Sequence, residues 1–219
     1  MQALTEQEKV RKKLKTAILA GKYAPRQRLI EADIAIEFHA SRFNVRNALN
    51  QLASEGLIEQ ERNKGSRVRE ISVSEATEIT ELRLVIESLI AGKAAERISN
   101  HEIKEMQALK SEMKRAVKLG EYRKYSELNT NLHLEIRRIA NDKTASDVLE
   151  KLNSQLVRHQ FQIYAIPGRS DISLTEHIEI IDALCSRDKK SAESSMKRHI
   201  GSVLKVIQAQ TNSLNFYTD

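Results

Sequence analysis

Apolar residues recur every three or four positions from residue 5 to residue 55 and again from about residue 74 onward, but between Gly56 and Arg69 the pattern changes to that of strands. Periods of 3.6 and 2 are those of helix and strand. The chain must therefore be almost wholly helical, with one short β element near residue 60. Two prolines and seven glycines in 219 residues leave few interruptions, and strong helix formers abound. That length allows two modest domains. At 40% hydrophobic and 30% charged residues the chain can bury a core and keep a solvated surface, which argues against global disorder.

Val10, Leu14, Ala17 and Ile18 share one face of a helix running from Thr5 to about Ala20, ended by Gly21 and Pro25. A second helix, Glu31 to Phe38, turns Ile34, Ala35 and Phe38 inward. Ser41 is a good N-cap for a third, Arg42 to Glu55, with core face Val45, Leu49 and Leu52, and Gly56 stands where a left-handed residue ends a helix. Residues 57–61 and 66–69 then read as two strands joined by Arg62-Asn63-Lys64-Gly65. Three helices and a β-hairpin predict a winged helix-turn-helix.

Charge follows this division. Residues 1–70 carry 14 Lys and Arg against 9 Asp and Glu, net +5, whereas residues 71–219 carry 22 against 21, net +1. A basic first third suits a module that meets a polyanion. Arg42 and Arg46 stand one turn apart at the start of the third helix, the end that enters a major groove, and arginine pairs bidentately with guanine. Ser41, Asn44 and Asn47 add short polar groups beside them; Arg62, Lys64 and Arg67 on the wing can reach phosphates or the minor groove.

The stretches Pro25 to Glu31, Ser41 to Leu49, Glu55-Gly56-Leu57-Ile58 and Lys64-Gly65-Ser66-Arg67-Val68 resemble the DNA-binding domain of GntR-type bacterial regulators. The resemblance implies that Ser41, Arg42, Arg46 and the wing-tip Gly65 lie at the DNA. Three positions depart from the usual pattern: Arg26 replaces Gly, Asn44 replaces Pro, and Asn47 stands where an acidic residue is common.

Glu70 to Ser74 is the natural boundary, giving domains 1–71 and 72–219, with Ser72-x-x-Glu75 as a capping box. Helices are expected at Ser74–Ile98, His101–Leu119, Arg123–Ala140, Thr144–Ile163, Leu174–Ser186 and Lys189–Thr211, an antiparallel six-helix bundle. Five of the six histidines fall here, and imidazoles from facing helices are how bundles build internal metal sites, although a lone histidine is more often an ordinary hydrogen-bonded residue.

Glu81 to Glu87, Asn129-x3-His133, Glu176 to Leu184, and Asp188-x3-Ala192 leading to His199 resemble the FCD ligand-binding domain of the FadR subfamily. Six helices rather than seven are similar to its shorter, VanR-like branch. The resemblance implies a divalent metal, zinc ahead of nickel or another transition ion, held by Asn129, His133, His177 and His199 beside a small organic-acid effector. It also implies an effector-binding role for Arg83, whose guanidinium can clamp a carboxylate; a surface salt bridge to Glu87 is the rival reading.

The single cysteine, Cys185, excludes an internal disulfide. The N-terminal stretch lacks the apolar core of a signal peptide, and no apolar run approaches a membrane span, so a cytoplasmic protein is expected. These features predict a DNA-binding transcription regulator acting as a homodimer on a palindromic double-stranded operator, and the resemblance implies that it is a repressor. They do not predict an enzyme: a metal-dependent hydrolase needs a paired carboxylate or nucleophile beside the histidines, and the sequence reading places none there. An architectural DNA-binding protein would leave the second domain unexplained.

Overall fold

The computed structural model describes residues 4–19, 21–61, 65–164 and 168–214. They form two compact units, one of residues 1–72 with 153–158 and one of residues 73–152 with 159–219.

In the first unit α1 (Glu6–Leu19) packs on α3 (Arg42–Ser54), with α2 (Glu31–Phe38) beside it. Val10, Leu14, Ile18, Ile34, Val45, Leu49 and Leu52 make the core. His39 adopts a left-handed conformation that ends α2, and the Ser41 hydroxyl accepts the Asn44 N–H, so the turn between α2 and α3 is fixed by local chemistry. Gly56, at φ +77°, turns the chain out of α3 where a Cβ would be strained. Leu14 is fully buried, and Leu14→Ala is expected to cost roughly 2–5 kcal/mol. Urea unfolding of this unit measures that loss; one below about 1 kcal/mol would show that the α1–α3 seam is not the core.

The expected hairpin is part of a three-stranded antiparallel sheet. β2 (Ile58–Glu61) pairs with β3 (Gly65–Val68), and β3 also pairs with β1 (Arg28–Leu29), giving the order β1-β3-β2. Two residues are too few to show an alternation in sequence, so β1 went unforeseen. Arg26 stands just before it with φ 62° and donates its backbone N–H to Val68 O at 2.9 Å. A left-handed turn is required here, which accounts for the glycine of the usual pattern; the arginine side chain instead meets Glu70.

Six further helices are described: α4 (Val73–Arg97), α5 (Asn100–Lys118), α6 (Tyr122–Ala140), α7 (Lys143–Tyr164), α8 (Arg169–Cys185) and α9 (Lys189–Leu214), all in the second unit except residues 153–158 of α7. α4 packs against α6, α8 and especially α9. That approach is close at Gly92, where a Cβ would collide with the Glu193 side chain. Ser99 and Glu102 form a reciprocal capping box at the start of α5. The core runs through Ile90, Ala94, Met113, Leu132, Ile136, Ile180, Leu184, Met196 and Ile200. α8 begins five residues earlier than expected, and this extra turn brings Arg169 and Ser173 into the helix. No described helix is long and apolar enough to cross a membrane.

Candidate nucleic-acid interface and metal centre

At the start of α3, Ser41, Arg42 and Arg46 are exposed, while Asn44 and Asn47 are half-buried. Arg46 is already engaged: its Nε and one terminal nitrogen hold the two oxygens of Glu31 at 2.9 and 2.8 Å. Phe43 is 71% exposed between the two arginines' turns. On the wing, Gly65 has φ +85°, and the Arg67 guanidinium is held by Glu59 at 2.8 Å and Glu61 at 2.7 Å. Arg62 and Lys64 lie outside the described residues.

Inside the bundle, His133 on α6, His177 on α8 and His199 on α9 bring one nitrogen each within 4.8 Å of the others. Asn129 is buried one turn before His133. Every Nδ1 of the trio has a partner. His133 Nδ1 lies 2.9 Å from Glu87 Oε2, His199 Nδ1 lies 2.8 Å from Glu176 Oε2, and His177 Nδ1 lies 2.9 Å from the Tyr125 hydroxyl.

An ionised carboxylate only accepts hydrogen bonds. His133 and His199 must therefore carry a proton on Nδ1, which leaves Nε2 as the ring nitrogen that can offer a lone pair. His177 does the same when its Nδ1–H donates to the Tyr125 oxygen, and its Nε2 then faces that of His199 at 3.3 Å. Facing lone pairs repel unless a cation lies between them. Imidazoles oriented by carboxylates are the usual arrangement around a bound transition metal, so this donor set fits a divalent ion.

The surrounding charges hold these states. Burial pushes the Glu87 carboxyl up, but the Arg83 guanidinium and His133 outweigh it and keep the pKa well below the usual carboxylate range. Burial also opposes ionisation of Glu176, which His199, Ser202 and Arg169 together reverse. Burial lowers the His177 pKa far below the usual imidazole value, reinforced by repulsion from His199, His133 and Arg169. His199 is lowered by burial too, with its Glu176 bond opposing.

Acid should therefore destabilise the apoprotein. Below the ordinary imidazole value of about 6.5 the unfolded chain takes up protons that folded His177 and His199 resist, so stability falls as pH drops through that value. Glu87 and Glu176, with lowered folded values, add stability that is present above the ordinary carboxylate range and lost below it. All four groups act in one direction. The thermal midpoint of metal-stripped protein should fall steadily from about pH 7 to pH 5, and a flat profile would contradict buried neutral imidazoles.

The structure thus joins the three predicted histidines. It revises Arg83: the residue is buried, and Nε and a terminal nitrogen both contact Glu87 Oε1, at 2.9 and 2.7 Å. The salt bridge to Glu87 exists, but inside the site rather than on the surface. The sequence named Glu87 only as a partner for Arg83 and gave Glu176 no role at the histidines. Glu87 and Glu176 stand beside the histidines, where no paired carboxylate was expected, yet both are committed to imidazole N–H groups and arginines. Tyr125, Asn129 and His133 form an i, i+4, i+8 stripe on α6 that could have revealed Tyr125.

A winged helix carrying an arginine pair on its third helix, linked to a helical bundle built around buried histidines, defines a DNA-binding protein with a separate second domain. The chain belongs to the GntR family of bacterial regulatory proteins: residues 6–68 match that family's model and residues 78–202 match the FCD domain. Its similarity to HTH-type transcriptional repressor RspR of Escherichia coli (strain K12) is 28% identity over 177 residues, 81% of this chain and 78% of that protein. The Nta operon transcriptional regulator of Aminobacter aminovorans is 22% identical over 88% of this chain and 91% of its own. The solved structure of E. coli McbR/YncC superposes with a TM-score of 0.80 at 19% identity, covering 95% of this chain and all of that one, which shows the shared fold.

Proposed function

We propose that the protein is a homodimeric transcriptional repressor whose operator affinity is set by a metal-dependent effector site in its second domain. The observation that carries this reading is the histidine trio, with one nitrogen of each ring within 4.8 Å of the others, every Nδ1 engaged, and Nε2 of His177 facing Nε2 of His199 at 3.3 Å. His133, His177 and His199, with Asn129, would hold the ion; zinc fits three imidazoles and an oxygen, and nickel is the second choice. Bound there, the metal supplies positive charge and an open coordination position that draws an organic acid.

The boundary proposed between the domains, at residues 71 and 72, lies one residue before the division between the two compact units. Residues before it supply Ser41, Arg42, Asn44, Arg46, Asn47 and Gly65 to the operator, with Arg62, Lys64 and Arg67 on the wing. Phe43 joins them, because an exposed ring at the start of the recognition helix suits a thymine methyl group. Effector binding controls DNA affinity by linkage: a ligand that prefers one state of the protein shifts the equilibrium by its differential binding free energy.

Selection from random double-stranded DNA tests the reading. The expected product is a palindrome with half-sites about one helical turn apart, bound with an affinity that changes when the metal is stripped and restored. Recovery of DNA without a shared sequence, or affinity indifferent to metal, would overturn it.

A further inference from the structure

Arg83 was the expected effector clamp, but its fork is occupied by Glu87. A second buried arginine lies next to the same cluster. Arg169 is the first residue of α8 and only 4% exposed. Among the described residues its guanidinium makes one contact, from a terminal nitrogen to Glu176 Oε2 at 3.2 Å. That oxygen is the one His199 Nδ1 already holds at 2.8 Å, so the guanidinium sits one carboxylate atom away from the histidines. Five N–H donors on a buried cation with a single long contact among the described residues leave room for a further acceptor.

Two further features point the same way. Ser173 lies one turn beyond Arg169 and one turn before His177 on the same face of α8, and is 2% exposed. Among the described residues no hydrogen bond is formed by its hydroxyl, so a second buried donor adjoins the first. The first turn of α8 follows Gly168, which has no side chain to cap it, and an uncapped helix N-terminus favours negative charge. Arg83 and Glu87 neutralise each other, as do Arg169 and Glu176, so these two pairs beside the histidines carry no net charge with which to repel an anion.

We propose that Arg169, with the Ser173 hydroxyl, binds a carboxylate group of the effector, and that Arg83 serves to position Glu87 and through it His133. The proposal rests on the effector reading above and assigns its anion subsite to α8. A planar carboxylate suits the fork of a guanidinium, accepting two parallel N–H bonds.

The test is calorimetric titration of citrate, and separately of inorganic phosphate, into the metal-loaded full chain and into Arg169→Gln and Ser173→Ala, each variant first checked by circular dichroism. Citrate should bind the parent; Arg169→Gln should weaken it by about tenfold or more and Ser173→Ala by a smaller factor, about threefold or more, because both hydrogen bonds go to an ionised carboxylate but only Arg169 also supplies a positive charge. Should Arg169→Gln fail to fold, Ser173→Ala carries the test, because it removes only one hydroxyl.

Citrate affinity within the error of the parent in the folded variants, while His199→Ala abolishes binding, would overturn the Arg169 assignment and leave the effector reading standing. A parent that binds neither probe would overturn both. Phosphate binding in preference to citrate, lost in Arg169→Gln, would overturn the carboxylate assignment and leave a phosphoryl site in its place.

Discussion

Protein carrying His177→Ala should purify without the metal ion proposed for the parent, and His133→Ala and His199→Ala should behave alike. Each substitution removes one of three nitrogens that lie within 4.8 Å of one another, and no other described histidine, cysteine, aspartate or glutamate joins that group. The loss should exceed the roughly 10–100-fold in affinity that removing a residue which only orients a ligand costs. Glu87→Gln supplies that comparison: it keeps the shape of the side chain but removes the charge that holds Nδ1 of His133. Elemental analysis after gel filtration gives the metal content, and circular dichroism shows whether the bundle remains folded. Stoichiometric metal in all three alanine variants would refute the site.

Arg46→Ala should weaken operator binding by roughly 1–3 kcal/mol, about 5- to 150-fold, and relax preference at one base pair of each half-site. The loss on random DNA should be much smaller, because the contact proposed for Arg46 is to a base edge and phosphates carry non-specific affinity. Glu31→Gln should act in the opposite sense. It releases an arginine otherwise held by two carboxylate oxygens, so binding to random DNA should strengthen and discrimination should fall. Fluorescence anisotropy at several salt concentrations separates these effects. Equal losses of specific and random binding in Arg46→Ala would remove this residue from base reading.

The sequence made visible whatever short-range chemistry determines. Ser41 and Gly56 bracketed α3 to within a residue or two, and the change of period after Gly56 disclosed the wing. The three histidines could be named from their helices, but their convergence came only through a family resemblance. Periodicity assigns a residue to a face of its own helix and says nothing of the register between helices. Glu176 illustrates the limit: it neighbours His177 in sequence yet serves His199, 23 residues away on another helix. Glu31 and Arg46, 15 residues apart, were equally hidden. The Arg83–Glu87 spacing was legible, but whether that pair faced water or the interior was not.

The histidine cluster also has a mechanical side. Its nitrogens come from α6, α8 and α9, and the carboxylate that orients His133 comes from α4. Four helices are thus pinned at one point in the interior, and none of them can fray past that point without undoing a hydrogen bond there. A ligand at the pin would raise the opening free energy of all four together. Amide exchange should then show α4, α6, α8 and α9 slowing as a single cooperative block when metal is added, while α5, which supplies nothing to the pin, keeps its own exchange rate.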